Sequence, residues 1–181
     1  MAATMDKLNT FTSTGAQTSV TFSAIPATYT DLYIKASLQE VGTTNDFEQG
    51  WIVFNGDNSG TSYARTWQYF NIGSPYLAFA ATGNSVGYGL FAPTTKNTYG
   101  TAPYRVSNTD IYISNYASDF NPKSANIVGG SNDNWTTIFQ GTNVGGISWS
   151  SASAITSVSL YSSGLSWGAG STIDLYGIKN T

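Results

Sequence analysis

Asp31-Leu-Tyr-Ile-Lys-Ala-Ser-Leu38 sets Leu32, Ile34, Ala36 and Leu38 at every second position, with Tyr33, Lys35 and Ser37 between them. Successive side chains of an extended chain point to opposite sides, so a period of two marks a strand with one apolar face and one polar face. The same period recurs along the chain. Val20 and Phe22 alternate with threonine and serine in Thr18–Ser23, and Ile111 and Ile113 alternate with Asp110, Tyr112 and Ser114. Val158 and Leu160 sit among serines, and Ile173 and Leu175 alternate with Asp174 and Tyr176. Trp51-Ile-Val-Phe54 and Tyr76–Ala81 are unbroken apolar runs that suit strands covered on both faces. No long window repeats its apolar residues at three and four, so no helix of normal length is expected.

Turn chemistry separates these runs. Asn55-Gly-Asp-Asn-Ser-Gly60, Gly129-Gly-Ser-Asn-Asp-Asn134, Gly141-Thr-Asn-Val-Gly-Gly146 and Gly168-Ala-Gly-Ser171 read as turns or loops. Asn-Gly and Gly-Gly supply the positive φ that tight hairpins need. Roughly eight to ten short strands at this spacing predict an all-β fold, a single antiparallel β-sandwich or barrel. Residues 1–16 read as an N-terminal arm and first turn, and 17–181 as the sandwich. Asp31-Leu-Tyr-Ile, Asp110-Ile-Tyr-Ile and Asp174-Leu-Tyr-Gly are alike but unequally spaced, so they read as similar strand solutions and not as repeats.

Composition narrows the chemistry. The 181 residues contain no histidine and no cysteine, and 9% are charged. A His-dependent triad, a Cys–His pair and an ordinary zinc site are therefore excluded. The net charge of −3 and the scattered Lys7, Lys35, Arg65, Lys96, Arg105, Lys123 and Lys179 argue against a nucleic-acid partner. No stretch approaches the ~20 apolar residues of a membrane-spanning helix, and no signal peptide is visible, so no membrane partner is expected. Asp46 and Glu48 lie two apart, but in the polar stretch Gly42–Gly50, where solvated loop carboxylates are expected rather than a glycosidase pair. Asn55-Gly-Asp57-Asn58 and Asn132-Asp133-Asn134 offer oxygen ligands without the spacing of a calcium loop, and turn chemistry explains both. No phosphate loop and no nucleophile elbow occur. The expectation is a protein that is not an enzyme, with no catalytic residue, no cofactor and no metal.

Aromatic residues make up 14% of the chain, and they are the remaining candidates. Tyr33, Tyr112 and Tyr176 fall on the side of their strands opposite Leu and Ile. Either a loop or a second sheet covers them, or they form a contact surface, since tyrosine is enriched at interfaces. Phe11, in the arm, joins them as a candidate contact residue. Trp135, Trp149 and Trp167 flank glycine- and serine-rich turns. Exposed, each would be a stacking platform for a sugar; buried, each caps an end of the sandwich.

Two segments carry a resemblance. Phe22-Ser-Ala-Ile-Pro26-Ala-Thr-Tyr-Thr-Asp31-Leu-Tyr-Ile-Lys-Ala-Ser-Leu38 opens the chain, and Ile155–Leu160 with Gly168-Ala-Gly-Ser-Thr-Ile-Asp-Leu-Tyr-Gly-Ile178 closes it. Together they resemble tailed-phage virion proteins with jelly-roll-like β-sandwich domains, which include head decoration (cement) proteins and tail-fibre-associated proteins. The resemblance covers the two ends and not the middle, and it supplies no catalytic residue. It implies a jelly-roll-like sandwich, made in the host cytoplasm and placed on the virion capsid surface. It further implies the major capsid protein as partner and a homotrimer. A tail-fibre or host-glycan-binding adhesin module is the alternative.

Overall fold

The computed structural model describes residues 4–41, 50–59, 61–71, 77–84, 95–96, 107–131, 141–162, 164 and 166–180. Among them there is no helix. Thirteen strands are described: β1 (Thr4–Thr12), β2 (Ser19–Phe22), β3 (Asp31–Val41), β4 (Gly50–Phe54), β5 (Tyr63–Asn71), β6 (Leu77–Asn84), β7 (Thr95–Lys96), β8 (Ser107–Ile113), β9 (Lys123–Ser131), β10 (Gly141–Trp149), β11 (Val158–Ser162), β12 (Ser166–Trp167) and β13 (Thr172–Lys179). They build an all-β, sandwich-like fold from two sheets of unequal size. The large sheet runs β1-β13-β3-β8-β9-β10-β5-β6, with β7 and β12 also pairing β3, and the small one runs β2-β11-β4. Every ladder among them is antiparallel except β3–β7.

The core lies between the sheets. Leu32, Ile34, Ala36 and Leu38 of β3 point inward with Ile111 and Ile113 of β8 and Ile173 and Leu175 of β13. Phe22, Ile52, Phe54, Val158 and Leu160 of the small sheet complete the same cluster. Each such Leu, Ile, Val or Phe side chain removed from water contributes on the order of 1.5–3 kcal/mol. Val53 and Ser159 are buried as well, so the Trp51–Phe54 run is covered on both faces, as its continuous apolar sequence predicts.

Three sequence expectations change. The arm is a strand: Thr4–Thr12 pairs along its length with β13, with a bulge between Lys7 and Asn9. Gly129 and Gly130 lie within β9, and Gly141, Gly145 and Gly146 within β10, where turns had been expected. At Gly145 the reason is space: a Cβ there would stand 2.7 Å from the Thr66 carbonyl oxygen and 3.2 Å from Trp67 Cβ. Only glycine allows the two backbones that approach. The third change is the strand count, which exceeds the expected eight to ten.

The turns at Asn55-Gly56 and Gly168–Ser171 hold as read. Asn55 and Gly56 both take positive φ, 53° and 68°, as a primed two-residue turn requires, and Gly170 takes φ 87°. The two segments that carry the family resemblance meet in space. Tyr29 packs its ring on Gly177, Ile25 sits in the core and its N–H donates to the Thr156 carbonyl at 3.0 Å. The Pro26 carbonyl accepts the Tyr116 hydroxyl.

Candidate contact face

The outer face of the large sheet carries the candidate tyrosines in one row. The register sets Lys7 beside Tyr176, Tyr176 beside Tyr33, and Tyr33 beside Tyr112, across β1, β13, β3 and β8. This follows from the sequence period: each tyrosine alternates with inward Leu or Ile, and antiparallel pairing aligns the three alternations. The Tyr33 and Tyr176 rings sit with centroids 6.0 Å apart, tilted by 46°. Lys7 Nζ stands 5.4 Å from the centre of the Tyr176 ring. The three-stranded sheet lies against the other face, so it does not cover these residues.

A second row runs parallel to the first. Thr10, Asp174, Lys35, Asp110, Val128 and Val144 are cross-strand neighbours in that order. Tyr112, Val128 and Val144 are 37%, 49% and 43% exposed, large values for apolar side chains on a regular sheet. Sequence reading did not find the two valines. They sit in β9 and β10, whose glycines read as turns, and their outward facing follows only from the register.

Carboxylates lock the tyrosine hydroxyls. Tyr33 donates to Asp110 Oδ1 at 2.6 Å, and Tyr112 donates to Asp31 Oδ2 at 2.6 Å. Tyr176 donates to Asp174 Oδ2 at 3.3 Å, while Thr10 Oγ1 donates to Asp174 Oδ1 at 2.6 Å and Lys7 Nζ lies 3.0 Å from Oδ2. Burial, then the Asp110 hydrogen bond, pushes the Tyr33 phenol up to about 12. The Tyr112 phenol is raised first by its bond to Asp31 and then by burial. Burial alone would raise Asp174, but the Thr10 and Lys7 hydrogen bonds outweigh it and hold the carboxyl below its ordinary value. The Tyr33 and Tyr112 phenols therefore stay neutral at pH 7, with their protons committed to neighbouring carboxylates. Their rings are held in place before any partner arrives. A preorganised aromatic face loses little side-chain freedom on contact, which favours binding by shape.

The other candidates lie elsewhere. Phe11 is half-buried, and its ring packs edge-on against Trp167 at 5.5 Å and 68°. It belongs to the sandwich and not to an outward arm. Trp149 and Trp167 are 2% and 0% exposed, so neither is a stacking platform; both fill the core. Trp149 packs on Phe54 at 5.6 Å and Tyr63 at 6.5 Å. Its indole N–H donates to Asp57 Oδ2 at 2.8 Å. Ser59 donates to Asp57 Oδ1 through both its N–H and its hydroxyl, at 3.0 and 2.6 Å. Asn55 Oδ1 likewise accepts the N–H groups of Thr156 and Ser157. The oxygen ligands of that loop thus serve as structural hydrogen-bond acceptors. Trp135, Asp46, Glu48 and the Asn132–Asn134 run lie outside the described residues.

A scan against known protein families finds no match. A search of curated proteins finds none either.

Proposed function

We propose that this chain is a non-enzymatic structural protein of a tailed-phage particle. In this reading it decorates the outer surface of the assembled head, binds the major capsid protein as a homotrimer and reinforces the shell. The observation that carries the reading is the row Tyr176-Tyr33-Tyr112, its hydroxyls already tied down, with the exposed Val128 and Val144 continuing the neighbouring row of Asp174, Lys35 and Asp110. Such a face suits a flat, shape-matched contact rich in tyrosine. The resemblance of the Phe22–Leu38, Ile155–Leu160 and Gly168–Ile178 segments to virion proteins supports the same reading. Stabilisation requires only that the module bind the assembled lattice more tightly than free subunits, since binding then shifts the equilibrium by mass action.

The test adds purified protein to phage heads that lack it. Wild-type protein should bind to saturation, and Tyr112→Ala combined with Val128→Ser should lower the apparent affinity about tenfold or more, in the range of an interface hot spot. The variant should keep its strand spectrum and stay folded at the assay temperature, although loss of the Tyr112–Asp31 hydrogen bond lowers its melting temperature. Undiminished binding by the variant removes this face from the contact, and failure of wild-type protein to bind removes the shell as the partner.

A further inference from the structure

β1 is the last strand of the large sheet: β13 pairs one side of it, and among the described residues no strand pairs the other. In an antiparallel ladder alternate residues aim their N–H and C=O at the partner, and those between aim away from it. Ser13 fixes the phase, since its N–H donates to the Ser171 carbonyl at 2.8 Å and its carbonyl accepts the Gly170 N–H at 2.9 Å. The register then turns Phe11 and Asn9 towards β13, and turns the backbone groups of Thr10 and Thr12 to the open side. A row of unpaired backbone groups is a template for another strand, and a second copy of this chain carries the same row.

The first half of this edge is blunted. Lys7 brings a charge, paired with Asp174, and the bulge follows between Lys7 and Asn9. The second half, Asn9-Thr-Phe-Thr12, holds neither a charge nor a proline, and threonine and phenylalanine favour strands. Two copies related by a two-fold axis at Phe11 would set Thr10 of each opposite Thr12 of the other, with open backbone groups facing open backbone groups.

One of those groups is already taken. The Thr10 N–H, which points away from β13, donates to Asn9 Oδ1 at 2.8 Å. Asn9 is exposed, and its oxygen holds the place that the carbonyl of an added strand would need. The turn beyond β1 continues the pattern: Gln17 Oε1 accepts the Thr14 N–H at 2.9 Å, and Ser13 Oγ accepts the Gly15 N–H at 3.1 Å. A strand added to β1 therefore gains no bond at Thr10 unless the Asn9 amide first swings away.

We infer that Asn9 is a guard that keeps copies of this chain from joining edge to edge through β1. The inference stands apart from shell binding, because it concerns the rim of the large sheet and not the tyrosine row. Valine at position 9 removes the acceptor and favours the strand, so Asn9→Val opens the edge.

Light scattering on the full chain tests this at concentrations up to about 1 mM, where even a millimolar association is readable. The mass of Asn9→Val should rise towards twice the wild-type value, as a two-fold pairing requires. Adding Thr10→Pro should return it to the wild-type value, since proline withholds the outward N–H and is tolerated on an edge. Should that double variant fail to fold, Thr12→Lys takes the place of Thr10→Pro, because an edge lysine also opposes strand addition. In dilute solution the Thr10 amide should exchange its hydrogen about threefold faster or more in Asn9→Val, the worth of one hydrogen bond, and Asn9→Asp, which keeps the acceptor, should protect it. Equal masses of wild type and Asn9→Val overturn the inference. So does a gain in mass that survives the second substitution, which would place the contact elsewhere, and so does unchanged exchange at Thr10.

Discussion

The ring of Tyr29 lies on the backbone of Gly177 so closely that a Cβ on Gly177 would stand 2.4 Å from Tyr29 Cγ. Tyr29 also donates its hydroxyl to Asp6 Oδ2 at 3.1 Å, and Lys179 Nζ stands 5.3 Å from its ring centre. One side chain thus ties the segment before β3 to both β13 and β1. The first prediction follows. Gly177→Ala forces the ring aside and should cost about 1–3 kcal/mol, the range for overpacking. Each kcal/mol should lower the melting temperature by roughly 2–4 °C in a chain of this size. In a Tyr29→Ala background the same substitution should cost little. Equal costs in both backgrounds, by urea denaturation, would show that the ring is not the reason for the glycine.

Asn55 carries the second prediction. It holds φ 53° and joins the β4 end to the segment before β11 through five hydrogen bonds. Asn55→Ala removes the side-chain bonds and puts a strained backbone on a residue that tolerates it poorly. A loss of about 2–3 kcal/mol is expected. Asn55→Asp keeps the acceptor oxygen and tolerates the positive φ, so it should recover more than half of the loss near pH 7. Thermal melts of the two variants against wild type decide the order.

Asp57 sets part of the acid stability. Burial alone would raise its pKa, but the hydrogen bonds from Ser59 and Trp149 outweigh it and bring the folded value from 3.8 to about 2. A carboxyl depressed on folding stabilises the native state above its unfolded pKa. That stability is lost as the pH falls through the folded value, here between about 4 and about 2. Its full extent is about 2 kcal/mol at most, from the 1.36 kcal/mol that one pKa unit represents. Asp57→Asn should flatten the stability–pH curve across that window and leave it parallel to wild type above pH about 5. Urea midpoints followed by tryptophan emission test this directly, because Trp149 donates to the titrating group.

Tyr33 governs the alkaline side. Its phenol, raised to about 12 by burial and by Asp110, keeps its proton longer in the folded state than in the unfolded chain. Folding stability is therefore full below pH about 10 and declines as the pH rises towards about 12. Tyr63, also raised to about 12 by burial, adds to the same slope. Tyr33→Phe should reduce the slope and remove one late-titrating phenol from the 295 nm absorbance titration. An unchanged late amplitude would show that Tyr33 titrates like an exposed phenol.

Strands with an unbroken period were legible in the sequence; those with bulges or glycines were not. β3, β8 and β13 alternate cleanly, and the three outward tyrosines follow from that alternation alone. β1 places Leu8 and Phe11, three apart, against the core because the bulge at Leu8 switches the face, while Met5 lies 55% exposed, and so it looked like an arm. β9 and β10 hid behind Gly129, Gly130, Gly145 and Gly146, since glycine signals a turn locally and a close backbone approach only once the neighbouring strand is known. Trp149 and Trp167 adjoin flexible-looking sequence, yet the segments beside them fold over the core. The tyrosine row was half legible: the outward facing could be read, but the side-by-side alignment and the carboxylate partners depend on register, which no single strand encodes.

Pairing of β1 with β13 and of β2 with β11 has a consequence for biosynthesis. The residues that close both sheets, Val158–Lys179, leave the ribosome after most of their partners. Until they emerge, the inner apolar side of β3 and β8 is missing both its sheet neighbour β13 and part of its cover. Loop closure over such long separations is slow, and the waiting intermediate is prone to aggregation. Yield from an expressing cell should therefore depend more on chaperone supply and growth temperature than the stability of the finished molecule would suggest.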